Sequence, residues 1–289
     1  MLSGIDSYCE PATLAEATQA LCEGPATLVA GGTLVVREAQ AGRFSYAPAL
    51  INLRHIDEMR GIELSDAGLR IGALTRLREI NENAQIRESA TVLAQTAWHM
   101  ASTQVRNLGT IGGNVCWASP SADLTVSLLV LDAAVELASA SGNNTTMRSI
   151  ALAEFLTGSE QTAREPNEIL TAVTVPQSAL GLRGGYLKSG TRIALDTTIA
   201  SVAIAASLEG TILRQVRIGF GGVAPTAMRA PRTETLIEGQ QRTDALLRDA
   251  AETARGEIDP PSDARASAWY RRELIGVFTK RVLDGFANA

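Results

Sequence analysis

The sequence predicts an α+β fold whose N-terminal part is made of α/β lobes, and three stretches carry that reading. Near the start, a capped helix runs into a short apolar strand and a glycine turn. Around residue 66, two short apolar segments flank a turn. Beyond a glycine cluster at residues 181–185, long apolar strands give way to helical periodicity that lasts to the end.

Thr13-Leu-Ala-Glu16 has the form of a capping box, in which hydroxyl and carboxylate each satisfy an amide of the first turn. Leu14, Ala17 and Leu21 fall on one face of the helix that follows, and Gly24-Pro25 ends it. Residues 27–30 form an apolar strand that stops at Gly31-Gly32-Thr33, and residues 49–53 read as a second strand. Residues 62–64 and 69–71 flank Ser65-Asp66-Ala67-Gly68, a hairpin pattern. Thr75 is placed to cap a helix carrying Leu77 and Ile80. From residue 86 to about 102, Leu93, Ala97 and Met100 recur at helical spacing, which puts His99 in the core. A glycine-rich loop is expected over residues 109–123. A short apolar helix over 124–131, with Asp123 as its cap, and strands over 134–137 and 169–175 follow it. After the break between Pro176 and Gly185, residues 198–208 are strongly apolar and strand-like. Residues 213–220 alternate, with Gln215 and Arg217 on one side. The remainder reads as helical, ending in a stripe of Tyr270, Leu274, Val277, Phe278, Val282 and Phe286.

With 289 residues, 45% hydrophobic and 20% charged, the chain has the composition of an ordinary globular protein of one large or two smaller domains. A net charge of -5 without basic runs argues against a nucleic-acid binder. No apolar run is long enough for a membrane span, and the first residues lack the features of a secretory signal. Cys9, Cys22 and Cys116 are isolated and cannot all pair, as expected of a cytoplasmic protein. With only His55 and His99 beside them, no metal or iron–sulfur site is expected, so any redox chemistry falls to an organic cofactor.

Two loops carry candidate chemistry. Ala30-Gly31-Gly32-Thr33 can turn sharply and gather free amides around a phosphate, or serve as an ordinary tight turn. The second runs from Thr110 to Asp123 through Ile111, Gly112, Gly113, Asn114, Cys116, Ser119 and Pro120. It combines glycines with polar side chains, and reads either as half of a dinucleotide site or as a helix cap plus a structural turn. Neither is a Rossmann or phosphate-loop fingerprint, and no nucleophile motif is present.

Together these loops resemble the FAD-binding subunits of the xanthine dehydrogenase and carbon monoxide dehydrogenase family of molybdenum hydroxylases. The family pattern A-G-G-T-[DN]-L is similar to residues 30–35, and T-[IL]-G-G-N followed by A-S-P-x-A-D is similar to residues 110–123. Residues 70–75, Glu168-Ile-Leu170 ahead of Val175-Pro176, Tyr186-Leu-Lys188 with Arg192 and Ala203, residues 220–225 and residues 265–267 extend the likeness, in order, over nearly the whole chain.

The resemblance implies a two-lobed FAD-binding domain of the vanillyl-alcohol-oxidase type over residues 1–176, with lobes of about 1–55 and 56–176. A C-terminal α+β domain with a small antiparallel sheet and helices would cover 180–289. It implies that Val29, Ala30, Gly31, Gly32, Thr33, Leu34, Thr75, Thr110, Ile111, Gly112, Gly113, Asn114, Cys116, Ser119, Asp123, Leu170 and Lys188 surround FAD. The first loop would wrap the pyrophosphate, and Thr110, Gly112, Gly113 and Asn114 would hold pyrophosphate and ribityl. Ser119 and Asp123 would hydrogen-bond the cofactor, and Leu170 and Lys188 would flank the ring, Lys188 as a cation favouring the reduced flavin. An iron–sulfur small subunit with a [2Fe–2S] cluster and a molybdopterin large subunit are the implied partners, in a dimer of heterotrimers passing electrons to NAD+ or another acceptor. Leu34 departs from the family's usual acid and cannot accept a hydrogen bond. A flavin-free scaffold and a self-sufficient FAD oxidoreductase are the alternatives.

Overall fold

In the computed structural model, which describes residues 4–142, 144–190 and 197–286, the chain opens with β1 (Ser7–Cys9), α1 (Leu14–Leu21), β2 (Ala26–Val29), α2 (Val35–Gln40) and β3 (Ala49–Asn52). The strands make a parallel sheet in the order β1-β3-β2. Thr13 caps α1 by accepting from the Glu16 amide at 3.2 Å, while Glu16 turns back to the amide of Ala12 rather than that of Thr13. Ala17, Thr18 and Leu21 are the buried face.

The second lobe comprises β4 (Ile62–Ser65), β5 (Gly68–Gly72), α3 (Leu77–Glu82), α4 (Ala84–Ser89), α5 (Thr91–His99), α6 (Thr103–Arg106), α7 (Ile111–Trp117) and α8 (Asp123–Val130). It continues through β6 (Ala134–Ser141), β7 (Asn144–Ala151), α9 (Leu152–Phe155), β8 (Leu156–Gly158), β9 (Gln161–Thr162) and β10 (Glu168–Pro176). Its sheet is antiparallel, in the order β4-β5-β10-β6-β7.

The last part holds β11 (Arg183–Gly190), β12 (Thr198–Glu209), β13 (Ile212–Gly221), β14 (Met228–Arg229), α10 (Pro231–Ile237), α11 (Asp244–Gly256) and α12 (Ala268–Gly285). Its four strands form an antiparallel sheet in chain order. Side chains alternate across a strand, and β12 uses both faces. Ala203 and Ala205 join the core of the first two lobes, with α8 lying against them. Ala200, Val202, Ile204 and Ala206 join a second core built with α11 and α12. This double burial explains why residues 198–206 are all buried and almost all apolar, with only Thr198 and Ser201 polar.

The structure departs from several sequence expectations. The helix expected over 86–102 is divided at Ala90 (φ -136°, ψ 54°), where the Ser89 carbonyl accepts from Gly181. His99 is exposed with Trp98 at the end of α5 and does not belong to the core. Arg76, not Thr75, precedes α3. The Thr75 hydroxyl is buried and donates to the Gly61 carbonyl instead. The loop expected over 109–123 contains α7. Strand β7 went unseen because it is a polar edge strand, mostly exposed. Tyr270 lies outside the buried stripe of α12. Gln215 and Arg217 are separated by an irregularity at the left-handed Gln215 (φ 52°).

Glu168 ties β10 to β7. Arg148 donates to both of its oxygens, at 2.5 and 2.8 Å, and the Glu165 amide adds a third bond at 2.7 Å. The Arg148 guanidinium holds the Glu168 carboxyl below its ordinary pKa, outweighing burial. A carboxyl depressed on folding adds stability above its unfolded pKa and loses it as the pH falls through the folded value. Glu168→Gln is therefore expected to melt below the wild type at neutral pH, with the gap closing in acid. Thermal melts across that range check it, and a gap that is flat with pH would count against the assignment.

Candidate cofactor-binding site

Between the first two lobes and the C-terminal sheet lies an open cleft of about 1380 Å³. Its walls include Ala30, Gly31, Gly32, Thr33 and Leu34 from the first loop. Thr110, Gly112, Gly113, Asn114, Cys116, Ser119 and Asp123 come from the second, with Leu170 from β10 and Thr197 and Arg265 from the C-terminal part. The remaining residues singled out from sequence lie behind this wall. Val29 ends β2, Thr75 and Ile111 are buried, and Lys188 on β11 reaches the cleft through Asp123.

Gly31 is where the two loops meet. A Cβ there would lie 2.1 Å from the Leu108 carbonyl oxygen, so only glycine lets the strand end touch the second loop. The amides of Gly32, Thr33 and Leu34 have no acceptor among the described residues, an arrangement that suits an anion. Leu34 stands at the N-cap of α2 without a side-chain cap, as its apolar chain dictates.

The second loop works differently. Thr110 caps α7 by accepting from Gly113 at 3.2 Å, and the amides of Ile111 and Gly112 donate to the carbonyls of Thr75 and Ala73. Its amides are thus spent inside the chain. Gly112 is required for packing, since a Cβ would meet that of Ala73 at 2.7 Å. What this loop offers the cleft is side chains. The Asn114 Oδ1 is buried without a donor, ready to accept from a ligand hydroxyl. Burial pushes the Cys116 thiol up to about 11, so it is protonated and inert at neutral pH.

One end of the cleft is basic. Arg54, Arg60 and Arg76 line a side cavity of about 50 Å³ with Ala30, Gly31, Leu74, Leu108 and Thr110. Composition analysis missed these arginines because they are scattered in sequence. Also missed was an aromatic group on the cleft wall. Phe44 packs edge-on to Tyr46 at 5.6 Å and against Trp117 at 5.8 Å.

The other end is organised by Asp123, the first residue of α8, whose side chain does not cap the helix. Its Oδ1 accepts from the hydroxyls of Tyr186 and Thr198, both at 2.6 Å, and its Oδ2 from Lys188 at 2.8 Å. All three donors come from the C-terminal sheet, so this one carboxylate ties it to α8. Gly222 donating to Pro120 and Ser121 donating to Thr198 add to that seam. Burial and the Asp123 charge raise the Tyr186 pKa well above its ordinary value, which keeps the hydroxyl a donor. The His99 ring lies 6.3 Å from that of Tyr186. Partial burial and the Lys188 cation lower its pKa.

Amides without acceptors beside three guanidinium groups (that of Arg60 also paired with Asp57), the unpartnered Asn114 acceptor and the polar anchor at Asp123 fit a long dinucleotide whose diphosphate lies between the lobes. These residues accommodate FAD. Among the described residues no cluster of metal-ligating side chains occurs, and no helix is long and apolar enough to cross a membrane.

Comparison with known proteins agrees. Residues 3–178 match the FAD binding domain in molybdopterin dehydrogenase, and residues 185–285 match the CO dehydrogenase flavoprotein C-terminal domain. The glyceraldehyde dehydrogenase medium chain of Sulfolobus acidocaldarius is 33% identical over 82% of this chain and 83% of its own. The xanthine dehydrogenase FAD-binding subunit of Escherichia coli O157:H7 is 31% identical over 96% and 94%. Among solved structures, a chain of quinoline 2-oxidoreductase from Pseudomonas putida 86 superposes with a TM-score of 0.90 at 29% identity, over 98% of this chain and 96% of that one. With both domain models matched in order, the chain belongs to the FAD-binding subunits of the xanthine and carbon monoxide dehydrogenase family of molybdopterin-containing oxidoreductases.

Proposed function

We propose that this subunit relays electrons through FAD from a [2Fe–2S] small subunit, itself fed by a molybdopterin large subunit, to NAD+ or another acceptor in the cytoplasm. The observation that carries the reading is the two-ended cleft, basic beside the first loop and closed at Asp123 by the C-terminal sheet. Bound FAD supplies the chemistry, accepting electrons singly and releasing them in pairs. The chain's own residues hold and shield it. Amides 32–34 and the three arginines take the diphosphate, and Asn114 and Ser119 take hydroxyl groups. Leu170 and the Asp123–Lys188 pair border the ring. Two loops set on rigid lobes fix the cofactor for transfer.

The relatives reported above are named for an aldehyde, a purine and a quinoline, yet share this chain's architecture. The organic substrate is therefore recognised in the large subunit. Trp269, 68% exposed, and Trp98, 59% exposed with the Arg106 guanidinium 5.4 Å over its ring, serve as apolar anchors for neighbouring subunits. Co-expression with the two partner subunits is expected to give one co-eluting assembly, a dimer of heterotrimers, in which substrate bleaches the flavin. A chain that stays alone under these conditions would sink the electron-relay reading.

The basic end gives a second test. Arg76→Gln is expected to weaken FAD binding by about three- to tenfold, a modest effect because the side chain is solvated. Riboflavin, which lacks phosphate, should bind equally to both forms. A parallel loss for riboflavin would mean a general disturbance of the fold instead.

A further inference from the structure

A lone cation beside the flavin would favour its reduced form, but the structure does not present Lys188 as a lone cation. Its ammonium is 2.8 Å from Asp123 Oδ2, and the two side chains are only 11% and 7% exposed. The same carboxylate is fixed from the other side by Tyr186 and Thr198, so it cannot swing away and leave Lys188 unpaired. Water screens such a buried pair poorly, so each charge reaches farther than it would on the surface. Asp123 lines the cleft itself.

We propose that Asp123 and Lys188 act on the bound flavin as one neutral unit, in which Asp123 is a positioning residue that both holds Lys188 and cancels its charge. The inference rests on the proposed seat of FAD in this cleft. Its consequence concerns sign. Two-electron reduction adds negative charge to the ring, partly offset by a proton, so a nearby net charge moves the reduction potential. Removing either member leaves the other uncompensated, and the two changes act in opposite directions. Removing both restores neutrality.

The other groups near the pair do not disturb this logic. Tyr186 is held protonated by burial and by Asp123, and Thr198 does not titrate. His99 has its pKa lowered by burial and by Lys188 in the wild type, and the comparison is made at about pH 8, above the ordinary histidine range.

The test uses the full chain carrying FAD, as wild type, Lys188→Met, Asp123→Asn and the double variant. Two readouts are taken. One is the flavin midpoint potential from dye-equilibrated spectra. The other is the dissociation constant for sulfite, which adds to an electron-poor flavin and bleaches it. Lys188→Met should lower the potential and weaken sulfite binding, on the order of tenfold. Asp123→Asn should raise the potential and tighten sulfite by a similar factor, and the double variant should return close to the wild type. If Asp123→Asn does not retain FAD, the double variant against Lys188→Met carries the comparison. Equal values there would mean that the carboxylate does not act on the ring. Shifts of the same sign in both single variants, or no shift in Lys188→Met with FAD still bound, overturn the proposal. A wild-type chain that holds no FAD would instead defeat the cofactor reading beneath it, visible before any variant is compared.

Discussion

Gly31→Ala is expected to weaken FAD binding by roughly ten- to a hundredfold while leaving most of the fold in place. The added Cβ would lie 2.1 Å from the Leu108 carbonyl oxygen and 2.8 Å from its carbon, and these are backbone atoms that no rotamer change can move. The first loop must retreat from the second, which carries amides 32–34 away from Thr110 and from the arginine end of the cleft. Overpacking of this kind costs about 1–3 kcal/mol, and a comparable loss in the bound state is a factor of roughly ten to a hundred in affinity. Titration of the FAD-free variant with FAD, followed by flavin fluorescence, reads the effect. Gly256→Ala is the control, since a Cβ there meets nothing within 4 Å. Equal FAD affinity in Gly31→Ala and wild type would show that the contact of the two loops is not what shapes the site.

The second large effect concerns the C-terminal domain. Arg271 on α12 is buried, and its guanidinium donates to the carbonyls of Ile199 and Gly222 at 2.5 and 2.7 Å and to Asp263 at 2.8 Å. It therefore fixes the start of β12, where Thr198 reaches Asp123, and the turn after β13 at the edge of the cleft. Arg271→Met keeps much of the volume but leaves two carbonyls without their donor, at a cost of about 3 kcal/mol. In a chain of this size that lowers the melting temperature by on the order of 5–10 °C. Differential scanning fluorimetry with and without FAD checks it. A melting point within a degree or so of the wild type would contradict the role given to this arginine.

What could be read from the sequence follows a physical division. Local rules found the elements whose signature is local. Thr13 caps α1, residues 62–72 form the hairpin, and the apolar run from residue 198 is a strand buried on both faces. They failed where distant residues decided the outcome. Ala90 interrupts a helical pattern with no glycine or proline to announce it, where Ser89 meets Gly181. The 109–123 stretch reads as a loop because glycines disfavour helices, yet α7 forms because Thr110 caps it and Gly112 packs against Ala73.

The candidate site shows the same division. The glycine loops were visible as motifs, and the resemblance they carry named the cofactor. The distinct tasks of the two loops were not visible, because only the structure shows that the amides of one are free and those of the other are bonded. Lys188 and Asp123 were both noted from sequence, one as a cation and one as a cofactor ligand. Their pairing across 65 positions changes the chemistry of both. The arginines at 54, 60 and 76 converge only because the turns after β3 and β5 meet beside the first loop.

The claim on which all else depends is that this chain holds FAD in the cleft between its lobes and its C-terminal sheet. The most direct measurement is the visible spectrum of the purified chain, followed by release and identification of the chromophore. The expected result is absorption near roughly 450 nm, with FAD recovered in about one-to-one ratio. A colourless protein that takes up no FAD, either alone or assembled with its iron–sulfur and molybdopterin partners, would contradict the account.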